Sequence, residues 1–263
     1  MLPHRLPFYG IFSVKTIAVI FDFDDTLTPD STTRFLASRG LDTQKFWQDD
    51  VRELVTSGYD PALAFLNKIL DFSGEGLPLG RITNADLRRF GQEQLDEEFY
   101  PGLPTMCKDL RAIARSISVD INVEYYIVSG GLQALIEGSA FVAKNFTTVY
   151  GCQYAEQPQT GEIRHIKRCV TFTEKTRCLF EINKGIRPEQ VMQNQYVVNR
   201  DVPFNRRRVP FKNMIYVGDG LTDIPCFSLV QRMGGMAFGV FNPQVQASAK
   251  RALLEFLHTD RVI

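Results

Sequence analysis

The chain has no excess charge of either sign: Lys and Arg total 30, Asp and Glu total 30, and the formal net charge is zero. Such a balance offers no electrostatic footprint for nucleic acid or an acidic membrane surface. Cysteine is sparse and poorly spaced for chemistry of its own. Cys107, Cys152, Cys169, Cys178 and Cys226 form no C-x-x-C pair, which argues against a zinc site and a disulfide framework. They read as reduced thiols in a cytoplasmic protein. The three histidines, His4, His165 and His258, lie too far apart for metal-ligand spacing. No apolar run approaches the ~20 residues of a membrane span, and the first fifteen residues show no cleavage-site pattern. What remains is 263 residues, 44% of them hydrophobic. That length suits one large domain or a core plus a smaller module.

Three short apolar runs organise the chain. Ile17-Ala18-Val19-Ile20-Phe21 stops abruptly at Asp22, Tyr125-Tyr126-Ile127-Val128 ends in Ser129-Gly130-Gly131, and Met214-Ile215-Tyr216-Val217 ends in Gly218-Asp219-Gly220. Runs of this kind suit parallel strands buried on both faces, and open α/β sheets bind ligands at the carboxyl ends of such strands. Helical periodicity fills the gaps. Met106, Leu110, Ile113 and Ile117 predict one helical face. Leu132, Leu135 and Ile136 predict a helix after the Ser129 loop. Glu174 to Lys184 predicts another, with Thr173 as N-cap and Gly185 as stop. Residues 236–240 read as a last strand, and Leu253, Leu254 and Leu257 as part of a C-terminal helix. Residues 30–99 contain the single tryptophan, Trp47, and helical patterns but no buried-strand run. They predict a helical insertion that returns at Pro101-Gly102-Pro104. Residues 186–212, with Arg206-Arg207-Arg208, predict an irregular and solvated stretch.

The first strand delivers Asp22-Phe23-Asp24-Asp25-Thr26, and the third delivers Asp219 and Asp223. Four carboxylates at neighbouring strand ends would repel one another without a cation, and hard oxygen ligands suit Mg²⁺. Ser129-Gly130-Gly131 would supply a hydroxyl and backbone N–H groups to a phosphate at a helix N-terminus. Lys175, at a helix start where a cation opposes the dipole, would supply positive charge. It is preferred over Lys144, Lys167 and Lys184. Ser129 also fits an ordinary helix cap, and Thr28 or Asp30 fits the cap of the helix after the first strand. Trp47 fits core packing and His165 a structural role.

The ordered set resembles the haloacid dehalogenase superfamily of aspartate-nucleophile phosphatases. Asp22-x-Asp24-x-Thr26 matches its first motif, Ser129 the second, Lys175 the third and Gly218-Asp219-Gly220-x-x-Asp223 the fourth. The resemblance implies an α/β, Rossmann-like three-layer core with a parallel central sheet, spanning 1–29 and 100–263. It also implies a phosphoserine phosphatase-like helical cap at 30–99 and a flap hairpin around Gln159-Thr160-Gly161. The implied activity is Mg²⁺-dependent hydrolysis of a small-molecule phosphate ester through an aspartyl-phosphate. Asp22 would be nucleophile and Asp24 general acid and base. Thr26, Ser129, Gly130 and Lys175 would hold the phosphoryl group. The metal would be held by Asp22, Asp24 through its carbonyl, Asp219 and Asp223. Asp25, Leu221 and Thr222 depart from the phosphoserine phosphatase pattern, so phosphoserine phosphatase proper is an alternative. So is a non-catalytic phosphate- or metal-binding regulator. Asp30, Arg34, Arg39 and the Gly74–Gly80 loop are the candidates nearest the cap junction.

Overall fold

The structure is a computed structural model that describes residues 15–243, 245, 250, 252–259 and 261–262. Residues 1–14, with His4, lie outside that set, as does the side chain of Leu253. The three apolar runs become three neighbouring strands of a six-stranded sheet. In chain order the strands are β1 (Lys15–Phe21), β2 (Ile121–Leu132), β3 (Thr148–Glu156), β4 (Ile163–Arg168), β5 (Met214–Gly218) and β6 (Met236–Gly239). Their spatial order is β4-β3-β2-β1-β5-β6, parallel throughout except for the antiparallel β3–β4 edge. The architecture is therefore α/β. Pleat alternation sends Val19 and Phe21 into one core and Ala18 and Ile20 into the other, one on each face of the sheet. Because β1 pairs with β2 on one side and β5 on the other, the chain changes direction there and opens a crevice at their carboxyl ends.

Between β1 and β2 the chain is helical: α1 (Ser31–Ser38), α2 (Thr43–Lys45), α3 (Arg52–Thr56), α4 (Pro61–Asp71), α5 (Asn84–Gln94) and α6 (Leu103–Ile117). A π-helical turn at Phe46–Val51 joins α2 to α3. Local chemistry sets the starts. Asp30 accepts from Thr33 N to cap α1, Asp60 accepts from Ala62 N to cap α4, and Thr83 with Asp86 forms a capping box on α5. After β2 come α7 (Gln133–Ile136) and α8 (Ala140–Asn145). The remaining helices are α9 (Phe172–Lys184), α10 (Pro188–Gln193) and α11 (Ile224–Arg232). Among the described residues no helix is long and apolar enough to cross a membrane.

Two glycines fasten α5 to the core. A Cβ on Gly91 would collide with the Leu135 carbonyl, and one on Gly138 with the Arg88 carbonyl. The bare backbones can therefore touch. Asp96 adds a bond from Ser139 Oγ, and Tyr154 on β3 donates to the Leu66 carbonyl of α4 at 2.8 Å. The β3–β4 hairpin, with Gly161 at φ 72°, is packed against the inserted helices through Ile163 N to Ile82 O at 2.9 Å.

Several local expectations are corrected. β2 does not stop at Val128 but runs through Ser129-Gly130-Gly131 with a register irregularity before Leu132. Ser129 therefore lies in a strand end, not at a helix N-terminus. The cap of α9 is Thr171, which accepts from Glu174 N; Thr173 is inside the helix. On α6 the inward face is Met106, Cys107, Leu110 and Ala114, so half of the expected face holds, while Ile113 and Ile117 are exposed. In the C-terminal segment Phe256 is buried against Phe227, and Leu254 and Leu257 are exposed. The 186–212 stretch is not uniformly solvated. Val209 and Phe211 are buried, and Arg208 pairs with Glu124 and donates to Tyr126 Oη.

Candidate active site

The end of β1 delivers Asp22, which is buried. Its Oδ1 accepts from Phe23 N at 2.8 Å, and its Oδ2 meets Lys175 Nζ at 2.9 Å. Lys175 rises from the first turns of α9, is 1% exposed, and also meets Asp223 Oδ1 at 2.8 Å. Asp223 is fully enclosed. Tyr216 Oη donates to Oδ1 at 2.7 Å, and Gly220 N donates to Oδ2 at 3.0 Å. A Cβ on Gly218 would lie 2.5 Å from Asp223, so the loop after β5 needs glycine there. Asp219 is also buried and receives a bond of 3.4 Å from Thr26 Oγ1.

Asp22, Asp219 and Asp223 each offer an oxygen within 4.8 Å of the others. Three buried carboxylates face one ammonium, so the cluster carries excess negative charge. Burial first, and then Asp223, push the Asp22 carboxyl well above its ordinary range; Lys175 opposes them. For Lys175, burial disfavours the charged form. The facing Asp22 and Asp223 outweigh it and hold the ammonium protonated, above the ordinary lysine value. The surplus charge and the all-oxygen donor set fit a small divalent cation, which Asp22, Asp219 and the main chain of Asp24 would hold. Asp223 is already occupied by Lys175, Tyr216 and Gly220, and its position suits support of that site.

Asp24 is turned the other way. Its Oδ1 accepts from Ser31 N at 2.7 Å and Ser31 Oγ at 2.6 Å. Burial, reinforced by Asp30, pushes its carboxyl up to about 7. Across from it, Ser129 Oγ accepts from Gly131 N at 2.9 Å. A Cβ on Gly131 would lie 2.5 Å from Asp24 Oδ2. Asp22, Asp24, Ser129, Gly130 and Lys175 line one cavity of about 350 Å³, whose far wall includes Trp47, Val51 and Phe65. Thr26 lines a separate hollow with Asp25 and Tyr100. Asp25 takes a left-handed backbone at φ 58°. Arg34 pairs with Glu98, Arg39 with Asp86, and Lys184 Nζ donates to the carbonyls of Val198 and Arg200; none of them lines the cavity.

Three contributors were not singled out by sequence reasoning. Ser31 reads as the first residue of a helix, and Tyr216 as one more apolar strand residue. Cys152 reads as a buried thiol, yet its Sγ donates to the Gly130 carbonyl at 3.1 Å and accepts from Val170 N at 3.2 Å. It thereby joins two loops of the cavity. A small polar residue near a strand-end motif is the one signal that could have flagged Ser31.

Solved structures share this fold. A phosphoserine phosphatase in complex with its substrate superposes with TM-score 0.52 at 13% identity, covering 93% of this chain and 98% of that one. A phospho-aspartyl intermediate analogue of phosphoserine phosphatase gives 0.50 at 15%, covering 93% and 99%. A HAD family hydrolase from Salmonella enterica serovar Typhi gives 0.51 at 16%, covering 80% of this chain; this chain spans 58% of that one. No protein-family model matches the chain. An uncharacterized protein of Borreliella burgdorferi is 26% identical, covering 82% of this chain and 79% of its own length. The chain thus has the haloacid dehalogenase-type fold, the Rossmann-like fold shared by these phosphatases and hydrolases.

Proposed function

We propose that the protein is a phosphomonoester hydrolase that works through an aspartyl-phosphate on Asp22, with residues 30–99 as the cap over the site. The observation that carries this reading is the convergence of Asp22, Asp24, Ser129, Gly130 and Lys175 on one cavity, beside a three-carboxylate cluster. In the first step a carboxylate oxygen of Asp22 forms a bond to phosphorus while the ester P–O bond breaks, and Asp24 gives its proton to the departing alkoxide. In the second, water attacks phosphorus, Asp24 takes a proton from it, and the P–O bond to Asp22 breaks. Ester and water become alcohol and inorganic phosphate, and both carboxyls return to their starting states.

Each group's setting suits its task. Lys175 faces the Asp22 carboxyl and opposes the upward push of burial and Asp223 on it. Ser31 fixes the carboxyl of Asp24 on the leaving-group side, and Ser129 and Gly130 face the position of the phosphoryl oxygens. A bound Mg²⁺ would supply charge stabilisation to the transferring phosphoryl group. The reading is tested by hydrolysis of a phosphomonoester panel with and without Mg²⁺. Activity is expected to require the cation and to fall at least ~10³-fold in Asp22→Asn, since a covalent step is lost. A chain that releases phosphate equally well after Asp22→Asn would overturn it.

A further inference from the structure

The cavity wall opposite Asp22 is apolar, and its charges are of the wrong kind for an acidic alcohol. Trp47 and Phe65 stand 5.7 Å apart, ring centre to ring centre, and line the cavity with Val51, Ala62 and Phe172. Phe172 remains 46% exposed, although it sits beside a site that would exclude water during reaction. The charged side chains on the wall are Asp22, Asp24, Asp60 and Lys175. Lys175 is bound on both sides, by Asp22 and by Asp223, and among the described residues no other basic side chain lines the cavity. Asp60 uses Oδ1 to cap α4, accepting from Ala62 N at 2.9 Å, so its charge is held at the rim by the helix it starts. Trp47 is fixed as well, its indole N–H donating to Thr33 Oγ1 at 2.7 Å. A carboxylate-bearing alcohol would meet Asp60 and find no cation. A polyol would find the indole N–H already used, and hydroxyls only at Ser129, Thr171 and Thr222 among the described lining residues.

Resting on the phosphatase reading above, we infer that the preferred substrate is the phosphate monoester of an uncharged, compact, apolar alcohol, selected by the Trp47, Phe65 and Phe172 wall. Burial of a Phe-sized group against such a wall is worth ~10–100-fold in selectivity, by the ordinary transfer energies of apolar side chains. Asp60 acts as a barrier to anionic alcohols.

The test compares four esters with unactivated leaving groups, each with Mg²⁺: benzyl phosphate, glycerol 1-phosphate, O-phosphoserine and phosphocholine. The expected order places benzyl phosphate first in kcat/KM, at least ~10-fold above the other three. Phe65→Ala should narrow the benzyl-to-glycerol ratio several-fold, chiefly through KM. Asp60→Asn, which keeps a good helix cap, should narrow the benzyl-to-phosphoserine ratio. Phosphate release with glycerol phosphate, phosphoserine or phosphocholine ahead of benzyl phosphate overturns this inference and leaves the phosphatase reading standing. A best phosphocholine rate would make Asp60 a counter-ion instead of a barrier. Release from none of the four esters, nor from p-nitrophenyl phosphate, overturns both.

Discussion

Asp24 lies against Ser31 with its carboxyl pushed up to about 7, so near neutral pH a large share of it carries the proton that an alkoxide needs. The protonated fraction falls as pH rises through that value. For an unactivated ester kcat is therefore expected to decline on the alkaline side of about 7. Asp24→Asn should cost ~10²–10⁴-fold with alkyl phosphates. The loss should be much smaller with p-nitrophenyl phosphate, whose leaving group needs no proton; steady-state rates on the two ester types check this. Lys175 carries a different consequence. Lys175→Met leaves buried carboxylates without their cation and is expected to cost ~3–5 kcal/mol in urea unfolding. Carboxyls whose folded-state pKa lies above the unfolded value favour folding while protonated and oppose it once ionised. The penalty should therefore be smaller at pH 5 than at pH 8. At this scale the sequence was legible where a charged residue stands at a strand end, as for Asp22 and Asp219, or at a helix start against the dipole, as for Lys175. It was not legible where a residue acts only through its neighbours: Tyr216 bonds to Asp223 across the turn after its own strand, and Cys152 bonds to Gly130 and Val170 from two other segments.

β1, β2 and β5 were readable because each contains an apolar run that stops at a charge, a serine or a glycine, and a strand buried on both faces must look that way; β4, with Arg164, His165, Lys167 and Arg168, gives no such run. Helix faces were less so. Met106, Leu110, Ile113 and Ile117 share a period, and the first two pack on the core, but Cys107 and Ala114 complete the buried side of α6 while Ile113 and Ile117 stay exposed. Small residues mark the closest approach, and apolar periodicity does not register them. The same blindness hid the contact between α5 and α7. Gly91→Ala or Gly138→Ala is expected to force these helices apart, at ~1–3 kcal/mol or more of overpacking strain. Thr83→Ala, which removes a capping box exposed to solvent on one side, should cost only ~1 kcal/mol. Thermal and urea unfolding of the three variants checks the ranking.

Over the whole molecule, a net charge of zero conceals an acidic cluster where β1 and β5 end. Relief of that repulsion is expected to couple cation binding to stability. At Mg²⁺ a hundredfold above its dissociation constant, linkage adds ~2.7 kcal/mol, or roughly 5–10 °C in melting temperature for a chain of this size. Calorimetry with Mg²⁺ and with a chelator checks it, and Asp219→Asn should abolish most of the shift. The helical stretch between β1 and β2 also falls into unequal parts. Around α5 the backbones of Gly91 and Gly138 touch, leaving no side-chain layer that could slide. That end is a fixed post, so any opening of the stretch is expected to fall on 43–60, which carries Trp47, Val51 and Asp60 to the cavity, and to break the bond from Trp47 to Thr33. Hydrogen exchange should find the amides of α5 as slow as those of β2. It should find the 43–56 amides faster, and slowed when a phosphate mimic and Mg²⁺ occupy the site. Entry and product release then belong to one side of the molecule, and the glycine contact determines which.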